Sequence, residues 1–420
     1  MLEKVLLKNM GVRHVERIDI YMARGGYQAV RKALLEFEPQ EIIEMVKKSG
    51  LRGRGGAGFP TGLKWDFMPK DPNVTKYLCI NFDEGETGTF KDRYLVEEDP
   101  HQVLEGAIIA AYAVGARKAY MYTRGEFPLG MKRWIKAVAE AYGRGFLGEN
   151  ILGTDFSLDV YVHRGAGAYI CGEETALMES LEGKRGEPRV KPPFPTQVGL
   201  FGQPTLINNV ETLACVPHIV LRGPEWFASI GTEQSKGPKI FCVSGHVKRP
   251  GNYELPMGTP LREIIYGHAG GIRDGRKLKA VIPGGASTPM LTPEQLDVPM
   301  AFETLPKVGS MLGTGAVIVM DESTCIVNAV LHLARFFAHE SCGKCTLCRV
   351  GTSTMLRILE RIEAGEGRDG DIDLLLDICE TMYGKTFCPL GDAATNPVTS
   401  SIKYFREEYE YHIEEKRCMV

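Results

Sequence analysis

Long apolar runs are missing from this sequence. The longest clean one, AIIAAYAVGA (107–116), falls well short of the ~20 residues that a membrane-spanning helix needs. An excess of one charge is missing too. Fifty Lys and Arg against 53 Asp and Glu leave a net charge of −3, which argues against non-specific nucleic-acid binding as the main task. Internal repeats, low-complexity tracts and long charge blocks are absent. The amino-terminal stretch MLEKVLLKNMGVRHVERIDI carries acids early and lacks the apolar run and small-residue cleavage site of a secretory signal. The expectation is a cytoplasmic protein that meets a membrane only through partners. A disulfide framework is not expected either, because the 11 cysteines are odd in number and unevenly spread. Cys79, Cys171, Cys215, Cys242 and Cys325 stand alone in apolar or mixed surroundings and are expected as buried, reduced thiols, with Cys418 a terminal thiol.

What is present fits a soluble chain of two to four domains: 420 residues, 44% hydrophobic and 25% charged. A β/α rhythm starts near residue 74. Strands are predicted over 76–82, 118–124 and 157–163, alternating with helices over 101–115, 128–143 and 173–183. Such alternation implies parallel strands joined by right-handed crossovers, hence an α/β Rossmann-like domain over 74–236 behind an amino-terminal segment, 1–73. Short strands with one helix follow, a small β-grasp-like domain over 237–320. From 321 to 420 apolar residues recur every three or four positions, as an amphipathic helical bundle requires.

The cysteines of the last eighty residues carry the clearest chemistry. SCGKCTLCRVG spaces Cys342, Cys345 and Cys348 two residues apart, in what reads as a loop between helices, and Cys388 follows before a proline in TFCPLGD. Three close thiolates and one distant one suit a [4Fe–4S] cluster, whereas zinc usually draws on two separated CxxC pairs. Cys379 is the rival fourth ligand, but it sits in the apolar helix pattern LLLDICETM and is expected to pack in the core.

GLRGRGGAGFPTGLKW (50–65) has a dinucleotide-type pattern at Gly53, Gly55 and Gly58, with Gly56, Arg54 and Lys64 alongside. Yet the preceding EPQEIIEMVKKSG reads as a helix, whereas a Rossmann fingerprint follows a strand. Glycines let backbone amides approach an anion, and Phe59, Trp65 and Phe67 offer faces for flat rings; the alternative is a flexible surface loop. Asn81, Asp83, Glu84 and Glu86 in NFDEGETGTF follow the first strand, at the strand ends where such sheets bind ligands, unless they form a solvated turn. Tyr169, Gly172, Glu173 and Glu174 in GAYICGEETAL follow the third strand similarly, the two glutamates also suiting a helix start. Asn208, Asn209 and Thr212 in INNVETL suit phosphate or ring contacts, or a helix cap.

These stretches, with PTLINNVETL and ESCGKCTLCRVGT, resemble in unbroken order the flavoprotein NADH-binding subunits of respiratory complex I, the F or 51-kDa family, over about residues 20 to 410. The resemblance implies FMN on the Rossmann-like domain, a ubiquitin-like middle domain and a four-helix bundle with one [4Fe–4S] cluster. It implies hydride transfer from NADH to FMN, then single electrons to the cluster and onward towards quinone. It also implies a small thioredoxin-like [2Fe–2S] partner and further peripheral-arm Fe–S subunits, at the inner membrane only through the complex. Position by position, Gly53, Arg54 and Lys64 match the surroundings of the flavin and its phosphate. Asn81, Asp83 and Glu84 match the flavin-side turn, and Asn208, Asn209 and Thr212 the phosphate and ribitol region. Phe59, Phe67 and Phe194 match aromatics that stack on NADH; Glu86, Glu174 and Lys191 line its nicotinamide and ribose. Glu174 is expected to repel the 2′-phosphate of NADPH. The turn departs from the family's pattern, with Phe82 for alanine and Thr87 for proline. The rival assignment is the diaphorase subunit of an NAD-linked hydrogenase or formate dehydrogenase; many of those chains carry extra ferredoxin-like or thioredoxin-like regions. A non-catalytic scaffold is the remaining alternative.

Overall fold

The computed structural model describes residues 3–420; Met1 and Leu2, at the head of the predicted amino-terminal segment, lie outside the described residues. The chain divides into two compact units. The first takes the chain up to Gly85, Phe90–Phe241 and Glu254–Gly258; the second takes Glu86–Thr89, Cys242–Tyr253 and Thr259–Val420.

In the first unit, α1 (Ile18–Ala23), α2 (Gln28–Glu36) and α3 (Pro39–Ser49) precede the glycine loop and α4 (Thr61–Asp66) follows it. The helical reading of EPQEIIEMVKKSG holds. Glu38 and Glu41 form a capping box, Pro39 opens the helix, Ile42, Ile43 and Val46 are buried, and Gly50 ends it at φ 67°. Then come β1 (Tyr77–Phe82), α5 (Lys91–Glu98), α6 (Pro100–Val114), β2 (Lys118–Thr123), α7 (Pro128–Gly143), β3 (Asp159–Arg164), α8 (Glu174–Leu181), β4 (Thr205–Asn209), α9 (Val210–Arg222) and α10 (Pro224–Ala228). The strand order is β3-β2-β1-β4, and all three pairings are parallel. After stepping outward from β1 to β3, the chain returns to the far side of β1. That reversal opens a crevice at the carboxyl ends of β1 and β4, where open α/β sheets bind ligands.

Strand β4 is absent from the sequence reading, which took its residues only as a polar motif. TLINN is five residues long and ends in two asparagines, poor strand formers, but burial between helices makes it a strand. Helix α6 is buried on nearly every side, as its uniformly apolar sequence requires, and crosses α9 closely. Gly106 permits that crossing: a Cβ there would lie 2.0 Å from the Leu213 carbonyl oxygen.

His218 of α9 is buried in the same layer, its Nε2 2.7 Å from Gln102 Oε1 of α6. Burial, with Lys8 and Arg222 nearby, pushes its pKa down to about 3. An unfolded histidine titrates near 6.5, so below that pH the unfolded chain takes a proton the folded one refuses. This contribution to stability is complete above about 6.5 and is lost as the pH falls towards 3. From His218 alone, unfolding free energy at pH 4 should be on the order of 3 kcal/mol lower than at pH 7. His218→Gln, which keeps a polar side chain beside Gln102, should move the acid-unfolding midpoint to lower pH. Denaturant melts across this range would show it, and identical pH slopes in the two proteins would refute it.

The second unit holds most of a mixed sheet. Strands β5 (Pro238–Gly245), β6 (Gly251–Pro256), β7 (Leu278–Ile282) and β8 (Ala316–Asp321) lie in the order β6-β5-β8-β7, with β5 parallel and β7 antiparallel to β8. The start of β5 and the end of β6 are counted with the first unit. A short helical turn, Glu263–His268, sits between β6 and β7 in sequence. Four helices follow: α11 (Ile326–Glu340), α12 (Thr346–Glu363), α13 (Asp371–Met382) and α14 (Pro389–Glu415). Two helices start earlier than predicted. Helix α12 already contains Cys348, which therefore lies in its first turn and not in a loop. Helix α14 starts at Pro389 and carries Pro397 inside it, where the sequence reading placed its start. Among the described residues, no helix is long and apolar enough to cross a membrane.

Candidate functional site

The glycine loop is fixed in place. Gly53 N–H donates to Phe59 O at 2.9 Å, Thr61 N–H to Leu51 O at 2.9 Å, and the Arg52 guanidinium to Gly58 O at 2.6 Å. These bonds give the loop a defined conformation, which speaks against the flexible-loop alternative. The loop then docks on the start of α9. Arg54 N–H donates to Thr212 Oγ1 at 2.8 Å, and a Cβ on Gly55 would lie 3.2 Å from Asn209 Cβ. A loop that precedes the first strand thus reaches the carboxyl end of the last one, in the crevice made by the strand reversal. Arg54 is itself buried. Its Nη2 donates to Lys236 O (2.7 Å) and Pro238 O (3.0 Å), while Nε and Nη1 have no hydrogen-bond partner. Two buried cationic donors without acceptors fit an anionic ligand such as a phosphate.

Asparagines organise the two strand ends. Asn209 caps α9, accepting from Glu211 and Thr212 N–H, and its Nδ2 donates to Asp92 at 2.6 Å. Asn208 accepts from Trp65 Nε1 at 2.7 Å. Trp65 is wholly buried, so its role is to pin α4 to the sheet and not to stack on a ligand. Asn81 links the other turn, donating to Gly172 O (2.9 Å) and accepting from Asp83 N–H (3.0 Å). Gly172 and Tyr169 pack closely on that turn. A Cβ on Gly172 would lie 3.2 Å from Asp83 O, and one on Gly85 would lie 3.0 Å from the Tyr169 ring. The Glu84 carboxylate turns away, accepting from Asp92 and Arg93 N–H at the start of α5. Burial, then the charge of Asp92, pushes its pKa up. Phe82, the bulky departure from the family pattern, is fully buried against Phe127, and Gly130 gives it room.

Glu173 is the amino-terminal cap of α8. Glu174 binds Lys64 at 2.8 Å and Lys191 at 2.9 Å, and Lys191 also reaches Glu173 at 2.7 Å. Burial opposes the charge of Glu174, but the two lysines outweigh it and hold the carboxyl down to about 2. Phe59, Phe67 and Phe194 are about half exposed, and the rings of Phe59 and Phe67 lie 6.2 Å apart. Glu86 belongs to the second unit, where it accepts from Ser287 N–H and Oγ at 2.7 Å each.

Beneath the crevice lies a network that sequence reasoning missed. Lys91 bridges Asp92 (2.7 Å) and Glu211 (2.9 Å), and Glu211 also pairs with Lys239 (3.4 Å) and accepts from Ile240 N–H (2.8 Å). Its members are scattered over about 150 residues of sequence, so only their shared burial reveals them.

In the second unit, Cys345 and Cys388 stand immediately before the first residues of α12 and α14. Helix amino-termini favour negative charge and hence thiolates. Lys344 stands 4.6 Å over the Phe387 ring, which ties the Cys342–Cys348 segment to the residue before Cys388. Burial pushes Cys348 up to about 11; a hydrogen bond from Ser341 opposes this, and the neighbouring Cys345 and Cys342 add to it. Four sulfur donors fit iron–sulfur chemistry, in which the cysteines bind as thiolates. Cys379 is buried with its Sγ 3.5 Å from Met355 Sδ, as expected of a core residue.

Three family models match the chain: the Nuo51 FMN-binding domain over residues 46–218, an SLBB domain over 239–319, and the NADH-ubiquinone oxidoreductase-F iron-sulfur binding region over 328–412. The NADH-quinone oxidoreductase F subunit 2 of Rhizobium meliloti (strain 1021) is 56% identical over 418 residues, 100% of this chain and 99% of that protein. The chain belongs to the F-subunit family of NADH-quinone oxidoreductases. The F subunit of the Streptomyces coelicolor NADH-quinone oxidoreductase, another member, is 52% identical over 96% of this chain and 89% of its own. Among solved structures, an NAD+-reducing [NiFe]-hydrogenase in the H2-reduced state superimposes with a TM-score of 0.84 at 42% identity, covering 92% of this chain. The air-oxidized state gives 0.83 at 40% identity over 97% of it. This chain spans only 64% and 66% of those two hydrogenase chains.

Proposed function

We propose that this chain is the electron-input subunit of an NADH-quinone oxidoreductase. FMN, when bound, supplies the chemistry: it takes a hydride from NADH and gives up electrons singly to a [4Fe–4S] cluster. The observation that carries the reading is the glycine loop docked in the crevice with two unpartnered, buried N–H groups on Arg54. Gly53, Gly55, Gly56 and Gly58 let the backbone come close to an anion there, with Arg54, Asn209 and Thr212 as polar partners. Asn81 and Asp83 hold the turn facing the ring system, and Glu84 holds that turn to α5. The exposed faces of Phe59, Phe67 and Phe194 stack on NADH. Lys64, Glu173, Glu174, Lys191, Tyr169 and Gly172 form the ribose side. None of these side chains acts as a nucleophile; they bind, orient and keep water out. Cys342, Cys345, Cys348 and Cys388 hold the cluster. The strand order and central parallel pair of the second sheet support a ubiquitin-like β-grasp within the SLBB region.

The partners implied are a thioredoxin-like [2Fe–2S] subunit and further Fe–S subunits of a peripheral arm on the cytoplasmic face of the inner membrane. Relatives matched over 99% and 89% of their own length support this over the hydrogenase diaphorase, whose chains are covered to about two thirds.

Anaerobic titration of the FMN-loaded, cluster-loaded chain tests the function. NADH should bleach the visible absorption at stoichiometric amounts, and NADPH should do little; failure of FMN to bind would favour a scaffold. Glu174→Ala sharpens the test. It removes the anion and leaves Lys64 and Lys191 available to a 2′-phosphate. A charge-assisted hydrogen bond is worth about 1.5–3 kcal/mol, so kcat/KM for NADPH should rise roughly tenfold or more. An unchanged NADH/NADPH ratio would remove Glu174 from the ribose site.

A further inference from the structure

Cys325 and Cys418, expected from the sequence as a solitary and a terminal thiol, are in fact neighbours. Cys325 Sγ, Cys418 Sγ and a ring nitrogen of His412 all lie within 4.8 Å of one another. We propose that these three residues, with Glu363, form a zinc site that fastens the end of α14 and the segment after it to the start of α11.

The distances among Cys325, His412 and Glu363 are those of a coordination shell, and Cys418 joins Cys325 and His412 within 4.8 Å. Cys325 Sγ is 3.5 Å from His412 Nε2, which is 3.4 Å from Glu363 Oε2; Cys325 Sγ and Glu363 Oε2 are 3.9 Å apart. Tetrahedral zinc, with bonds of ~2.3 Å to sulfur and ~2.0–2.2 Å to nitrogen or oxygen, separates its ligands by about 3.3–3.8 Å. The supporting groups point the same way. His412 Nδ1 lies 2.7 Å from the Glu408 carbonyl, so Nδ1–H donates there and the Nε2 lone pair faces the sulfurs. Asn328 serves twice, its backbone N–H to Cys325 Sγ at 3.3 Å and its Nδ2 to Glu363 Oε1 at 2.8 Å, which leaves Oε2 towards His412. Val420 N–H reaches Cys418 Sγ at 3.4 Å. A shell of two sulfurs, one imidazole and one carboxylate suits zinc better than magnesium or calcium, which take oxygen, or copper(I), which prefers sulfur alone. Binding would release the two thiol protons to solvent as the sulfurs become ligands. The site is separate from the iron centre: α11 has 15 residues and puts Cys325 and Cys342 at opposite ends, roughly 22 Å apart at 1.5 Å per residue.

The test uses the cluster-loaded full chain supplied with zinc sulfate and then desalted. We expect about one zinc per chain with iron unchanged, and zinc-edge X-ray absorption with two sulfurs at ~2.3 Å and nitrogen or oxygen at ~2.0 Å. Cys418→Ser should reduce the sulfur count to one and abolish zinc retention against EDTA while keeping its iron, which reports folding. Asn328→Ala should keep both sulfurs but weaken zinc binding about 10–100-fold. Three results would overturn the proposal: no zinc retained by the wild type, zinc in an all-sulfur shell drawn from the iron–sulfur cysteines, or a Cys325–Cys418 disulfide in non-reducing peptide maps.

Discussion

Replacing Cys388 with serine should remove the iron–sulfur cluster, taking iron from about four atoms per chain to near none, while NADH still bleaches FMN. Electrons would then enter the chain and not leave it, so reduction of a one-electron acceptor that draws on the cluster should fall to background. The structural argument is that Cys388 opens α14 just as Cys345 opens α12, and that Lys344 over Phe387 draws the two segments together. Two helix amino-termini thereby place partial positive charge beside two of the four sulfurs. Cys379→Ser is the informative control. Cys379 is only 1% exposed and packs on Met355, so its serine variant should keep full iron and lose about 1–3 kcal/mol of stability to a buried hydroxyl. Iron lost from the Cys379 variant and retained in the Cys388 variant would exchange their roles. Iron determination with the reduced-state paramagnetic resonance signal reads both outcomes.

How legible all this was depended on whether a feature is local. The three predicted strands and the three predicted helices stand within a residue or two of their expected limits, because apolar periodicity and bounding glycines act over short stretches of chain; the short α5 was not expected. Cys342, Cys345, Cys348 and Cys388 stand out as candidate cluster ligands from spacing alone, since metal-ligand spacing is written in sequence. The glycine loop could be singled out as a candidate anion loop, but its position could not be read. Nothing in GLRGRGGAGFPTGLKW says that it crosses to Thr212, 158 positions away. Strand β4 was missed for the same reason: INNVETL looks like a cap, which Asn209 is, and burial alone makes the preceding residues a strand. Trp65 was misjudged because a tryptophan in a glycine loop suggests stacking, whereas its indole N–H serves Asn208. Cys325 and Cys418 looked isolated because they lie far apart in the chain.

Glu211→Gln should be the most damaging single change that leaves every proposed ligand contact in place. Glu211 is fully buried with Lys91 at 2.9 Å, Lys239 at 3.4 Å and the Ile240 N–H at 2.8 Å. Burial opposes its charge, but Lys239, Lys91 and Arg54 outweigh that and hold its pKa down, so it is an anion in the folded protein. Glutamine keeps the shape and can still accept from Ile240, yet it leaves buried cations with one carboxylate fewer. Breaking a buried ion pair from one side costs about 3–5 kcal/mol. For a unit of this size that is a fall of roughly 10 °C in the melting transition. FMN affinity should fall as well, because Lys91 also holds Asp92, and Asp92 accepts from Asn209 beside Gly55. Adding Lys239→Met to the variant separates charge from packing. If uncompensated positive charge is the cause, the double variant recovers part of the lost stability, since the excess cation leaves with the lysine. A further, additive loss on calorimetry would mean that Glu211 acts through shape and hydrogen bonding, and the charge network would lose its place in the account of the site.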